Sequence, residues 1–228
     1  MAHQPLRYDF DSVATTYDQW YETAEGNMYD RLEKKAISKY LPQNVSGMKL
    51  LEIGCGTGHW SQFFASLGFE VTGIDISDSM IKIAQSKALS HVSFQVADAH
   101  ALPFDDSSFN VTAAITTIEF VQDYESVLRE MLRCTNKPGG QILLGVLNAS
   151  AQINRQRREN PESLYAKARW FTPRQIEELL EPLGRVSVAT VGFIPRWMPM
   201  LQWSSLIDRI GSLLRLPYGA FIAAKVMI

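Results

Sequence analysis

The spacing of apolar residues changes along the chain. Over residues 9–40 it is helical, with Met28, Leu32, Ala36, Ile37 and Tyr40 recurring three or four positions apart on one face. Two helical pieces are expected there, broken near Gly26. Pro42 and Gly47 then mark a loop. Beyond it, short apolar runs alternate with amphipathic segments. The runs predict strands at 49–53, 70–74, 92–96, 110–115, 141–146, 186–191 and 220–227. Between them, Trp60, Phe63, Phe64 and Leu67 share one side of a helix over 59–67, which Gly68 closes. Ser77 serves as N-cap for a helix carrying Met80, Ile81 and Ala84. Asp123 opens a helix with Val127, Leu128, Met131 and Leu132. Thr172 and Pro173 read as N-cap and first-turn proline of a helix ending near 183.

Strands separated by helices of about a dozen residues imply right-handed crossovers. The expected fold is α/β: a seven-stranded, mostly parallel sheet with helices on both faces. The last two strands are separated by residues 193–216. Trp203, Leu206, Ile207, Ile210, Leu213 and Leu214 form a helical stripe there, and the insertion reads as a lid helix packed on the domain or as an apolar pocket or membrane-surface contact for a lipophilic acceptor. One domain is expected over 1–228. It comprises a helical cap (1–45), a core (46–192), a helical insertion (193–217) and the last strand (218–228). Apolar residues make up 46% of the chain, enough for a packed core. The net charge of −2 gives no sign of a broad nucleic-acid footprint. Two cysteines, Cys55 and Cys134, are too few for a disulfide framework, and a cytoplasmic setting is expected. No signal-peptide pattern and no run long enough to span a membrane is seen, so any membrane contact would be peripheral.

In an open parallel sheet, ligands bind beyond the carboxyl ends of the strands, where the strand order reverses. The first strand leaves there through Glu52-Ile53-Gly54-Cys55-Gly56-Thr57-Gly58. Alternate glycines permit positive φ and close approach of a ligand to the backbone. Asp75 ends the second strand, where a carboxylate can accept both hydroxyls of a ribose. These features suit a dinucleotide or an adenosyl group. The loop, however, has His59 where the third glycine of G-x-G-x-x-G would fall. A second acid, Asp98, ends the third strand in ADAHALPF, where it suits an adenine amino group and would repel a pyrophosphate.

The blocks LLEIGCGTG (50–58), VTGIDIS (71–77), ADAHALPF (97–104), DSSFNVTAAITTIEFV (106–121) and KPGGQILLGVLN (137–148) resemble the class I S-adenosylmethionine-dependent methyltransferases. The nearest group is the small-molecule methyltransferase type 11, or UbiE-like, group. The resemblance runs from Tyr8 to Leu183 and implies a Rossmann-like fold, S-adenosylmethionine as cofactor and a small-molecule methyl acceptor. It implies that Glu52, Gly54 and the Thr116 region serve the amino-acid part of the cofactor. It also implies that Cys55 and Gly56 line its approach, that Asp75 holds the ribose, and that Ile76 and Met80 pack on the adenine. Asp98 and Ala99 would read the adenine edge, and the segment Tyr17-Asp18-Gln19-Trp20-Tyr21 would close over it. His59, His100 and Glu119 are candidates for a general base. No residue set points to a metal. A cofactor-binding sensor and a methyltransferase acting on RNA or protein are the competing readings. The basic cluster Arg155, Arg157, Arg158 and Arg169 reads as a solvated face or as a site for an acidic substrate group.

Overall fold

The computed structural model describes residues 10–160, 165–193, 204–214 and 216–228. A 3-10 turn, Asp11–Thr16, precedes α1 (Gln19–Glu22) and α2 (Ala24–Ser38). The chain then alternates β1 (Lys49–Ile53), α3 (His59–Ser66), β2 (Glu70–Asp75), α4 (Asp78–Ser86), β3 (Val92–Val96) and β4 (Val111–Ile115). It continues through α5 (Tyr124–Cys134), β5 (Gln141–Leu147), α6 (Gln152–Glu159), α7 (Pro173–Leu180), β6 (Arg185–Val191), α8 (Ser204–Leu213) and β7 (Phe221–Met227). The seven strands expected from the sequence form one sheet in the order β3-β2-β1-β4-β5-β7-β6. Strands β1 to β5 are parallel, whereas β7 runs antiparallel between β5 and β6.

The central strands β4 and β5 are buried at every position, so they read as continuous apolar runs rather than as alternation. One face is covered by α5 and α7, which bring Val127, Leu128, Met131, Ile176 and Leu180 against Ile53, Ala114, Leu144 and Ile222. The other face takes Ile37 of α2 and Trp60 and Phe64 of α3 against Leu50, Val111, Leu143 and Phe221. The helix starts follow the sequence signals. The Ser77 hydroxyl accepts the Met80 N–H, and the Asp123 carboxylate accepts the Ser126 N–H. Thr172 and Gln175 form a reciprocal capping box ahead of Pro173.

One expectation is corrected. The N-terminal helices break at Thr23, not near Gly26. Thr23 is extended (ψ 152°) and its hydroxyl accepts the Gly26 N–H, so Gly26 lies in the first turn of α2. Gly26 is required by packing, since a Cβ there would overlap the Trp20 carbonyl. The stripe of α8 is not simply packed on the domain. Ile210, Leu213 and Leu214 are 50%, 80% and 63% exposed, while Asp208 is buried and accepts the Gly192 N–H at 2.7 Å. Trp203 and the Leu206 side chain lie outside the described residues, as do the aromatic and methionine positions 197–201. Helix α6 lies in a stretch that carried no strong periodic signal.

Candidate functional site

Strands β2 and β4 flank β1 on opposite sides, so the strand order reverses at the carboxyl end of β1. The glycine loop leaves the sheet there. The Cys55 N–H donates to the Ile74 carbonyl at 2.9 Å, and the Gly58 N–H donates to the Cys55 carbonyl at 2.9 Å. Gly54, Gly56 and Gly58 all have positive φ (67°, 52° and 81°). Their surroundings differ. A Cβ on Gly54 would overlap the Thr117 side chain, and one on Gly58 would meet the Phe94 ring at 2.6 Å. A Cβ on Gly56 would find no atom nearer than Met80 Sδ and Tyr17 Cε1, both at 4.0 Å. Gly54 and Gly58 are therefore fixed by packing, and Gly56 borders open space between Met80 and Tyr17.

Asp75 braces this loop. Its Oδ2 accepts the Gly56 N–H at 2.8 Å and its Oδ1 accepts the Ser77 N–H at 2.9 Å. Burial pushes its carboxyl pKa upward, against the pull of those two amides. Glu52 lies buried below the loop, where its carboxyl accepts the Ser61 hydroxyl. Burial raises its pKa to about 8. Among the described residues, no lysine or arginine is ion-paired with either carboxyl, so a bound cation would favour their ionised forms. Such a site suits a cationic ligand and opposes a pyrophosphate.

Asp98 stands on the next strand exit, with the Ala97 N–H donating to the Asp75 carbonyl at 3.0 Å. Its Oδ1 lies 2.7 Å from His100 Nδ1 and accepts the His100 N–H at 2.9 Å, which holds the turn through Ala99 in shape. Ile76 is 39% exposed, whereas Met80 is buried. Thr116 has φ +49°, which is uncommon for a β-branched residue, and its N–H donates to the Gly145 carbonyl at 2.6 Å. Backbone strain of this kind costs about 1–3 kcal/mol and concentrates at ligand sites.

The N-terminal segment is bonded to this site at three points. Asp11 accepts the Ser77 hydroxyl at 2.6 Å and the Ser79 N–H at 3.3 Å. Asp18 accepts the Thr57 hydroxyl at 2.6 Å and pairs with Lys87 at 2.7 Å. Asp30 pairs with Lys34 at 2.8 Å and with His59 Nε2 at 2.7 Å, while the Tyr21 ring stacks on the His59 imidazole at 3.6 Å. Sequence reasoning missed Asp11 and Asp30 and named Asp18 only as part of the closing segment, because nothing local marks a carboxylate whose partner lies 29 to 69 positions away.

The three candidate bases are placed differently. His59 is held by Asp30 and Lys34 beneath Tyr21, and His100 is held by Asp98 at an open edge. Glu119 is fully buried. Its Oε1 accepts the Leu147 N–H at 2.8 Å, its Oε2 has no partner, and burial raises its pKa to about 8. The next residue, Phe120, belongs to an aromatic series from three segments: Phe10 against Phe120, Phe120 against Tyr165, and Tyr165 against Trp170. The Arg157 guanidinium of α6 sits 5.3, 5.8 and 5.7 Å from the ring centres of Trp20, Tyr29 and Tyr165. Arg169 lies instead over Tyr124 at 4.5 Å. Among the described residues, no group of three histidine, cysteine or acidic side chains could hold a metal ion. No described helix is long and apolar enough to cross a membrane.

A glycine loop at the reversal point, an acid at each of three successive strand exits and an aromatic cap define a methyltransferase class of site. The model of the methyltransferase domain family matches residues 25–186, and the chain belongs to that family. It is 34% identical over 170 residues to a malonyl-[acyl-carrier protein] O-methyltransferase of Erwinia billingiae, a match covering 75% of this chain and 64% of that protein. It is 30% identical over 141 residues to a demethylmenaquinone methyltransferase of Lactococcus lactis, covering 59% of this chain and 55% of that protein. The match thus spans less than two thirds of either relative. In fold, the chain is similar to a SAM-dependent methyltransferase of Thermotoga maritima (TM-score 0.74, 23% identity, 96% and 97% of the two chains covered). It is also similar to a Haemonchus contortus phosphoethanolamine N-methyltransferase solved with S-adenosylhomocysteine (TM-score 0.70, 17% identity, 100% and 61% covered). The cofactor of this class is S-adenosylmethionine. The open cradle at Gly56 and the carboxyls of Glu52 and Asp75 beside it fit that molecule, which carries a sulfonium and an ammonium.

Proposed function

We propose that the chain transfers the methyl group of S-adenosylmethionine to a small-molecule acceptor. The observation that carries this reading is the Gly56 cradle, open between Met80 and Tyr17 and bordered by two carboxyls that pair with no lysine or arginine among the described residues. Bound there, the cofactor supplies a methyl group already activated on a sulfonium leaving group. Asp75 keeps two of its roughly four acceptor positions for the ribose hydroxyls, since the Gly56 and Ser77 amides take the other two. Asp98 and the Ala99 turn face the adenine edge. Glu52 and the strained Thr116 backbone serve the amino-acid end. The cap, bonded to the exits of β1 and β2 through Asp11, Asp18 and Asp30, would exclude water from the displacement. Such alignment is worth about 7–11 kcal/mol of barrier lowering.

Glu119 is the proton acceptor in this reading, because its Oε2 is a buried carboxyl oxygen without a hydrogen-bond partner. A base with a pKa of about 8 is half ionised at pH 8, so the rate should rise with pH up to that region. Calorimetry should show S-adenosylmethionine and S-adenosylhomocysteine binding and NAD not binding; the reverse pattern ends the proposal. With labelled methyl donor and a metabolite pool that supports turnover, Glu119→Gln should lower kcat by about 10²-fold or more. It should also remove the rise with pH and leave cofactor affinity unchanged. A variant with the wild-type pH profile would return Glu119 to a structural role.

Glu119 and Glu52 also set a stability trend. Each is a carboxyl whose folded-state pKa, about 8, lies above its usual value of 4.5. Between those values the folded state binds more protons than the unfolded chain, so stability falls as pH rises from about 4.5 to 8. Each such group contributes a slope of up to about 1.4 kcal/mol per pH unit. Urea unfolding of the ligand-free protein should therefore show a lower midpoint at pH 8 than at pH 5. The difference should shrink in Glu119→Gln.

A further inference from the structure

At the end of the sheet remote from the glycine loop, a cavity of about 290 Å3 opens beneath the turn that follows α2. Tyr40, Leu41 and Met48 form one wall, and Gln141, Lys225 and Met227 form the other. In the antiparallel register of β5 and β7, Gln141 lies opposite Met227 and Leu143 opposite Lys225. All four side chains therefore point to the same side, with Gln141 and Lys225 as diagonal neighbours. Gln141 is 3% exposed, and its amide nitrogen has no hydrogen-bond partner. A buried donor left unpaired is uncommon and calls for an explanation. Lys225 is half-buried, lies 5.7 Å from the centre of the Tyr40 ring and makes no ion pair with any described residue. No acid lines the cavity.

We propose that this cavity is a second ligand site, for a small monocarboxylate with an apolar body. The Lys225 ammonium and the Gln141 amide are both donors, and a carboxylate offers each of them an oxygen. Leu41, Pro42, Met48 and Met227 then surround the rest of the molecule. The volume lies at the lower end of the range for small-ligand pockets, about 300–1,000 Å3, which sets the size at one ring or a short chain. The site is separate from the Gly56 cradle and stands whether or not the chain transfers methyl groups.

The test uses benzoate and hexanoate as probes, with benzamide and hexanamide as their uncharged counterparts, followed by amide NMR shifts of the full chain. Saturable shifts confined to residues 40–48, 110, 139–143 and 225–227 are expected with the acids. The amides should bind at least about tenfold more weakly, the size of one lost charge-assisted hydrogen bond. Lys225→Met and Gln141→Met should each weaken benzoate by a similar factor, and Lys225→Arg should retain it. Circular dichroism checks that each variant folds, and Lys225→Gln replaces any that does not. No saturable binding at tens of millimolar overturns the proposal. So does benzamide matching benzoate, or full affinity in Lys225→Met.

Discussion

Replacing Asp75 by alanine should weaken S-adenosylmethionine binding by about 100-fold or more. Two hydrogen bonds from the ribose to a carboxylate are lost, each worth about 1.5–3 kcal/mol. The same change strips the Gly56 and Ser77 amides of their acceptor, so the loop that borders the cradle loses its brace as well. Asp75→Asn keeps one acceptor oxygen and should fall between the two. Calorimetric titration of cofactor into the three proteins measures this directly. Wild-type affinity in Asp75→Ala would move the ribose away from β2 and with it the whole orientation of the cofactor.

Gly54→Ala should destabilise the fold by about 3 kcal/mol or more. An alanine at φ +67° costs about 1–2 kcal/mol by itself. Its Cβ would also overlap the Thr117 side chain, whose hydroxyl lies 3.0 Å from both the Ile53 and the Ile115 carbonyls at the ends of β1 and β4. The thermal midpoint should drop by roughly 6–12 °C, at about 2–4 °C per kcal/mol for a chain of this size. Gly56→Ala pays the same backbone cost without the overlap, so it should retain more stability yet narrow the cradle. Equal midpoints for the two variants would contradict the distinct roles assigned to these glycines.

Much of this was legible from residue order. The seven strands and the caps at Ser77, Asp123 and Thr172 follow from local rules, because each capping partner lies three residues away. Asp75 and Asp98 were found because they end strands in a fold whose ligands gather at strand ends. Four things were not legible. The break at Thr23 was missed because Gly26 looks like a helix breaker, whereas it is needed where the Trp20 carbonyl approaches. Thr117, which joins the ends of β1 and β4, carries no periodic or motif signal. Asp11, Asp18 and Asp30 acquire meaning only when the cap folds back on the loops. Burial of Glu119 also escaped prediction, since a charged residue after a strand reads as solvent-facing until the Leu147 amide is seen to claim it.

The placement of β7 has a consequence for biogenesis. It occupies the slot between β5 and β6, yet it is made 74 positions after β5 ends and 30 after β6 ends. Until it is synthesised, β5 presents seven buried-type residues along an open edge, the kind of edge that recruits other chains. β6 meanwhile has no strand to pair with. Helices α5 and α7 can form early but have only part of their packing surface. Nascent chains stalled before Phe221 should therefore be clients for chaperones, and the sheet should become cooperative only when the segment 221–227 inserts.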